Sequence, residues 1–179
     1  MKIYTRKGDD GSTGLVGNVR VLKNDVRVSA YGEVDEANAA IGVASSTTTN
    51  PDTVAILRTI QSDLFVLGAE LATPDGESPQ HRILASHVAQ LEQWIDEASV
   101  DVSPLKNFVL PGGCAAASAL HFARTVCRRA ERAVITLSQD QTVGNHAVPY
   151  LNRLSDLLFA LARQANHRDG VEDIPWIAP

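Results

Sequence analysis

LHFARTVCRRAERAVITL, residues 120–137, decides the fold class of this 179-residue chain. Its apolar residues recur at alternating spacings of three and four, the period of a helix face packed inside a bundle. These residues are Leu120, Ala123, Cys127, Ala130, Val134 and Leu137. The pattern predicts a helix over about 114–138 whose apolar seam lies in a shared core.

Four further segments show helical periodicity, and strand-like alternation is almost absent. They are predicted at about 26–46, from Asn50-Pro51-Asp52 to about 71, at about 80–98 and at about 150–166. The residues expected to face the core are Val34, Ala37, Ile41, Ala44, Val54, Leu57, Ile60, Leu64, Leu67, Leu71, Leu84, Val88, Leu91, Ile95, Leu151, Leu154, Leu158, Leu161 and Ala165. Since most connections are short, successive helices should run antiparallel.

The prediction is therefore an all-α fold, a five-helix up-and-down bundle forming one domain over residues 1–179. Residues 1–24 mix glycines, hydroxyls and charges and are expected to form an irregular loop. Residues 25–168 hold the bundle, and residues 169–179 are expected to form an irregular tail.

Composition narrows the class of protein. Hydrophobic residues make up 44% and charged residues 21%, as in ordinary soluble globular proteins. The formal net charge of −5 argues against a nucleic-acid partner. No signal peptide and no membrane-spanning run is expected, and Cys114 and Cys127 do not form a disulfide framework. These observations predict a cytoplasmic protein in which Cys127 is a buried thiol.

A cationic stripe on the fourth predicted helix is the strongest candidate site. His121, Arg124, Arg128 and Glu131 follow one another at steps of three, four and three and share one face, with Arg129 and Arg132 beside them. Guanidinium groups bind phosphate oxygens in pairs, so the stripe suits a polyphosphate. A solvated helix face partly neutralised by Glu131 is the alternative.

The N-terminal loop is a second candidate. Backbone N–H groups around Gly8, Gly11 and Gly14 could form an anion-binding nest, to which Ser12 and Thr13 would add hydroxyl donors. The cationic residues of the loop are Arg6, Lys7 and Lys23. The alternative is a set of ordinary turns.

The fifth predicted helix carries a polar stripe, which is either functional or part of a surface between subunits. Its residues are Asn152, Ser155, Asp156, Phe159 and Arg163. The Glu-x-x-His pairs of di-iron bundles, the HExxH and CxxC zinc patterns and the GxSxG elbow are all missing. No protein metal ligands are therefore assigned, and catalysis is expected to rest on binding, orientation and electrostatics.

At these residues the sequence resembles the ATP:cob(I)alamin adenosyltransferases of the propanediol-utilisation type. The resemblance spans roughly residues 3–168 in four spaced blocks. They are TRKGDDGSTGL (5–15) continuing to YGEVDE (31–36) with Asn38, FVLPGG (108–113), RTVCRRAER (124–132) and YLNRLSD (150–156).

The resemblance implies a five-helix bundle that assembles as a homotrimer, with active sites between neighbouring subunits. It implies ATP with Mg²⁺ on its triphosphate as one substrate and cob(I)alamin as the other. The residues that it assigns to ATP are Thr5, Arg6, Lys7, Gly8, Asp9, Gly11, Ser12, Thr13, Lys23, Arg128, Glu131, Arg132 and Asn152. It places Phe108 against the lower face of the corrin, and it pairs Asp35 with Arg124 across the subunit boundary.

The expected reaction transfers the 5′-deoxyadenosyl group of ATP to reduced cobalt and releases triphosphate, with Arg128, Phe108, Asp35 and Arg124 in the catalytic centre. A flavoprotein reductase and an adenosylcobalamin-dependent enzyme are the expected protein partners. Two alternatives remain open at this point. One is an ATP-binding sensor or adenosylcobalamin carrier without catalysis, and the other is a purely structural bundle.

Overall fold

The computed structural model describes residues 2–178, apart from the side chain of residue 18. The terminal residues Met1 and Pro179 of the predicted loop and tail lie outside the described part. Within it, the five predicted helices are confirmed. They are α1 (Val26–Thr47), α2 (Pro51–Leu71), α3 (Ala85–Ser99), α4 (Ala115–Leu137) and α5 (Ala147–Arg168).

The helices alternate in direction along the chain and enclose one apolar core. Helix α4 is central, because it packs against both α1 and α5, while α2 packs on α1 and α3 packs on α5. Every residue of the predicted α4 seam is buried, including the Cys127 thiol, whose pKa is raised by that burial. None of the described helices is both long and apolar enough to cross a bilayer.

Helix α3 begins five residues later than predicted, and the predicted core residue Leu84 is wrong. Leu84 is 53% exposed, whereas its neighbour Ile83 is 3% exposed. The buried Glu70 carboxylate explains the shift, since it accepts the Ile83 N–H at 2.9 Å and holds residue 83 outside the helix. His87 Nδ1 then accepts the Leu84 N–H at 3.0 Å, which marks where the helix starts.

Helix α5 begins three residues earlier than predicted, at Ala147. Pro149, which precedes the predicted start, therefore lies in the first helical turn. Proline is tolerated there because the first N–H groups of a helix have no partner within it.

The N-terminal segment is more ordered than predicted. Ser12–Gly14 (β1) and Arg20–Leu22 (β2) form an antiparallel hairpin, joined through a short 3₁₀ turn at Val16–Asn18. Gly17, with φ of 80°, provides the left-handed residue of that turn. Three-residue strands are too short to give the alternation by which strands are recognised.

Candidate active site

A largely apolar cavity of about 850 Å³ lies beside Phe108 at the start of α4. His121, Arg124, Phe159 and Trp176 contribute to its wall. Phe108 itself is 82% exposed. A large aromatic ring left in solvent at the mouth of an apolar cavity is typical of a surface that receives a ligand.

The C-terminal tail, expected to be irregular, pairs with the segment that carries Phe108. The Trp176 N–H donates to the Phe108 carbonyl at 2.7 Å, and the Leu110 N–H donates to the Ile174 carbonyl at 2.8 Å. Val109 and Pro175 form an isolated antiparallel bridge between them. Sequence reasoning missed this pairing because neither partner has the length or alternation of a strand.

Asn166, near the end of α5, also binds the chain between Phe108 and the start of α4. This side chain is 2% exposed, accepts the Cys114 N–H at 2.9 Å and donates to the Gly112 carbonyl at 3.1 Å. Its amide also donates to Asp173 of the tail at 3.1 Å. The resemblance did not assign Asn166, and no local motif marks it.

His121 of the α4 stripe is buried rather than displayed. It is 3% exposed, its ring packs against Phe159 at 5.8 Å between centroids, and neither ring nitrogen has a hydrogen-bond partner within the described part of the chain. Burial, and secondly the charge of Arg124, lower the pKa of His121, which favours the neutral ring. A buried polar group without a partner costs about 1–3 kcal/mol.

The arginines of the stripe differ in environment. Arg124 is half-buried and its Nε has no partner, whereas Arg128 and Arg132 are exposed. Burial, followed by the charge of Arg128, lowers the pKa of Arg124. Arg129 faces away from the stripe and pairs with Glu33 and Glu36 of α1, so it serves packing between helices.

Glu131 of the stripe forms its hydrogen bond with a side-chain amide rather than with an arginine. Glu131 Oε1 accepts from Asn152 Nδ2 at 3.0 Å, and Arg153 donates to Asn152 Oδ1 at 2.7 Å. These bonds orient Asn152 on α5 next to the stripe on α4. The fold thus brings Glu131 and Asn152 together although they are far apart in sequence.

The N-terminal loop presents its cations but uses several of its N–H groups internally. The Gly11 N–H donates to the Gly8 carbonyl at 3.2 Å, and the Ser12 N–H and hydroxyl both donate to Asp10. The glycine nest expected from the sequence is therefore not open in this conformation. Lys23 Nζ lies beside Gly8, 3.3 Å from where a Cβ would stand, so a cation does reach the loop.

The remaining loop residues assigned from the resemblance are mostly exposed. Arg6 adopts φ of 62°, a left-handed conformation uncommon for a side chain of its size. The exposed residues are Thr5, Arg6, Lys7 and Asp9, while Thr13 is half-buried in the hairpin. Arg20 was missed by sequence reasoning; it donates to the Lys7 carbonyl at 2.6 Å and so ties the loop to the hairpin.

The N-terminal hairpin and Phe108 lie at opposite ends of the bundle. The hairpin attaches where α2 ends, through the bond from the Val16 N–H to the Ala72 carbonyl at 3.1 Å. Phe108 lies at the start of α4, and α4 spans roughly 34 Å at 1.5 Å per residue. Within residues 2–178, no hydrogen bond or ion pair joins the loop to the α4 stripe. Among the described residues, Asp35 is exposed on α1 and likewise forms no bond with Arg124.

Comparison with known proteins identifies the class to which this site belongs. Residues 3–165 match the family described as cobalamin adenosyltransferase. The chain is similar to a corrinoid adenosyltransferase of Mycobacterium tuberculosis, with 50% identity over 98% of this chain and 92% of that protein. It is also similar to corrinoid adenosyltransferase PduO of Citrobacter freundii, with 47% identity over 93% of this chain and 50% of that protein.

A solved structure gives the same result for the fold. It is a PduO-type ATP:corrinoid adenosyltransferase from Lactobacillus reuteri, a phenylalanine-to-alanine variant complexed with cobalamin and ATP. The TM-score is 0.91 and the identity 40%, over 99% of this chain and 100% of that one. The chain therefore belongs to the cobalamin adenosyltransferase family. It is a transferase that moves the adenosyl group of ATP to a corrinoid.

Proposed function

We propose that the chain carries out this transfer as a homotrimer, at sites shared between neighbouring protomers. Two observations carry the proposal: the N-terminal loop is attached at the end of the bundle opposite Phe108, and among the described residues no hydrogen bond or ion pair joins it to the α4 stripe. A closed ring of identical chains brings the N-terminal loop of one protomer to the α4 stripe of the next at every boundary. Each site then contains cations from two chains.

On the nucleotide side, Arg128, Arg132 and Lys23 are suited to the triphosphate of ATP. They are exposed, and none of the three forms an ion pair among the described residues, so all can bind an anion. Charge grows on the triphosphate as the bond to C5′ of the ribose breaks, so fixed cations stabilise the transition state more than the ground state. Glu131 orients Asn152 toward the same nucleotide.

A Mg²⁺ ion on the triphosphate fits this arrangement. Among residues 2–178 there is no group of three or more His, Cys, Asp or Glu residues placed to hold a metal ion. Magnesium at nucleotide sites is commonly bound by substrate phosphates, waters and one or two carboxylates. The phosphates would carry the ion, and it would neutralise the leaving group.

On the corrin side, the cavity beside Phe108 takes the lower face of the substrate. Reduced cobalt, cob(I), is itself the nucleophile, so the protein need not supply one. The Phe108 ring would fill the lower axial position and exclude water from it, which makes the reduced state accessible. Arg124, which is half-buried and has no ion pair among the described residues, would pair with Asp35 of a neighbouring protomer.

The solved relatives support the assignment of Phe108 and Arg128. Two structures of the Lactobacillus reuteri protein carry a substituted phenylalanine and a substituted arginine, respectively. The two substituted positions are separated by the same number of residues as Phe108 and Arg128. We therefore take these two residues as their counterparts.

The proposal is tested by mixing protein, ATP, Mg²⁺ and reduced cobalamin and measuring triphosphate and the cobalt–carbon absorption spectrum. Arg128→Ala should lower turnover by about 100-fold or more, because a fixed cation at the developing charge is lost. Arg58→Ala, at an exposed site on α2, is the matched control and should keep full turnover. ATP binding without any product in the unmodified protein would favour the sensor or carrier instead.

The role of Phe108 is tested separately. Phe108→Ala should slow reduction of cobalt far more than it weakens ATP binding. A collapse of nucleotide affinity would contradict its placement at the corrin. The reductase, the acceptor enzyme and the cytoplasmic location remain predictions.

A further inference from the structure

Three separate contacts converge on Asn166, the buried amide near the end of α5. Its Oδ1 caps α4 through the Cys114 N–H, and its Nδ2 holds the Gly112 carbonyl. The same Nδ2 donates to Asp173 of the tail. Asp173 is in turn held by Arg163, whose Nε donates to Oδ2 at 2.7 Å.

The turn at Gly113 is built around this side chain. Gly113 has φ of 111°, and a Cβ on it would lie 2.0 Å from Asn166 Oδ1. Only glycine permits so close an approach in that conformation. Residues 112–114, which begin four residues after Phe108, are thus held directly against Asn166.

The C-terminal tail is the second connection between Asn166 and Phe108, after residues 112–114. The Val171 N–H donates to the Asn166 carbonyl at 2.8 Å, and Asp173 binds the Asn166 amide. Beyond Asp173, the tail forms its backbone bonds to Leu110 and Phe108. Phe108 is therefore held from both sides by elements that meet at one buried amide.

We propose that Asn166, through its pair with Asp173, is a positioning residue that sets the Phe108 ring against the corrin. This inference rests on the proposed role of Phe108. The Phe108 side chain is 82% exposed and therefore has little packing to fix it, so its direction depends on the backbone beneath it. A loosened backbone would let the lower axial position of cobalt refill with a ligand.

The test measures the fraction of cobalt(II) corrinoid without a lower axial ligand, by electron paramagnetic resonance in the presence of ATP, together with kcat and KM for ATP. Asp173→Ala should reduce that fraction and lower kcat roughly 10- to 100-fold, with KM for ATP unchanged. Glu172→Ala, the exposed neighbour in the tail, is the control and should behave as the unmodified protein.

Asn166→Asp separates positioning from helix capping. The carboxylate still accepts the Cys114 N–H but cannot donate to Gly112 or Asp173, and it faces a second carboxylate. It should lose the ligand-free cobalt signal, and the exchange Asn166→Asp with Asp173→Asn should restore part of it. If Asn166→Asp does not fold, Asp173→Ala decides the question alone, because it lies outside the core.

Phe108→Ala, measured in parallel, distinguishes a failure of the proposed role of Phe108 from a failure of the inference about Asn166. If Phe108→Ala retains the ligand-free signal, the proposed role of Phe108 is wrong and the inference falls with it. If Phe108→Ala abolishes the signal while Asp173→Ala and Asn166→Asp keep it and lose only thermal stability, Asn166 is merely structural and the inference alone is overturned.

Discussion

The N-terminal segment (residues 2–24) and the Phe108 segment (residues 105–113) are both loops of the proposed active site, yet they are held in opposite ways. The first is bonded to the bundle between the Val16 N–H and the Ala72 carbonyl and at the turn that leads into α1, and it displays its cations to solvent. The second is fixed by a buried amide, a glycine turn and a paired tail. The difference suits the tasks proposed for them, because a loop that closes on a nucleotide must move, whereas a ring that blocks an axial position must not.

The largest expected effect concerns the frame to which the N-terminal segment is attached. Arg27 is 2% exposed and donates to the Leu71 and Thr73 carbonyls at 2.8 Å each, on either side of Ala72, and to Gln141. Arg27→Met leaves those acceptors buried without a donor and should lower the free energy of unfolding by about 4 kcal/mol. Urea denaturation measures it. Arg58→Met is the exposed control. Equal losses of unfolding free energy in both variants would contradict a stabilising role for the Arg27 hydrogen bonds.

Gly113→Ala should have the next largest effect, on the Phe108 segment. It combines a strained φ with a Cβ that displaces the Asn166 side chain, and it should cost about 2–3 kcal/mol in thermal or chemical unfolding. At Gly112 a Cβ would meet nothing within 4 Å, so Gly112→Ala is the matched control. A Gly113→Ala protein as stable as Gly112→Ala would show that the Phe108 segment is not held by the close contact between Gly113 and Asn166.

Gly11→Ala in the N-terminal segment should cost less. Its φ of 83° is equally strained, but a Cβ there has open space around it. The expected loss is about 1 kcal/mol, mostly local, and is best detected as faster proteolysis of residues 2–24. Gly14→Ala, with open space and no left-handed φ, serves as the control. A loss as large as that of Gly113→Ala would erase the contrast between the two segments.

The smallest effect is a pH dependence at the wall of the cavity beside Phe108. Because the pKa of His121 is lowered in the folded protein, the unfolded chain binds more protons as the pH falls below the ordinary value of 6.5. The free energy of unfolding should therefore fall from about that pH down to the folded pKa and then level off. His121→Phe should lack this decrease, whereas His167→Phe, at an exposed site, should retain it. Parallel pH dependences for wild type and His121→Phe would exclude the buried neutral ring.

The bundle was predictable because the α4 seam repeats the helical period over five turns, and local periodicity is what a sequence displays directly. The stripe from Arg124 to Arg132 followed from the same spacing. Asn166 and the tail pairing were not predictable, since an amide that binds backbone groups far away in the chain leaves no pattern. The misplaced Leu84 has the same origin, because a distant carboxylate, Glu70, decided where α3 begins.

The shared site is the central claim, and mixed trimers test it most directly. Lys23→Ala damages only the loop and Arg128→Ala only the stripe, so each protein alone should be nearly inactive. Co-assembled in equal amounts, they should regain about a quarter of wild-type activity, the fraction of boundaries at which an intact loop meets an intact stripe. Mixed assemblies no more active than the two separate proteins would contradict a site built from two chains.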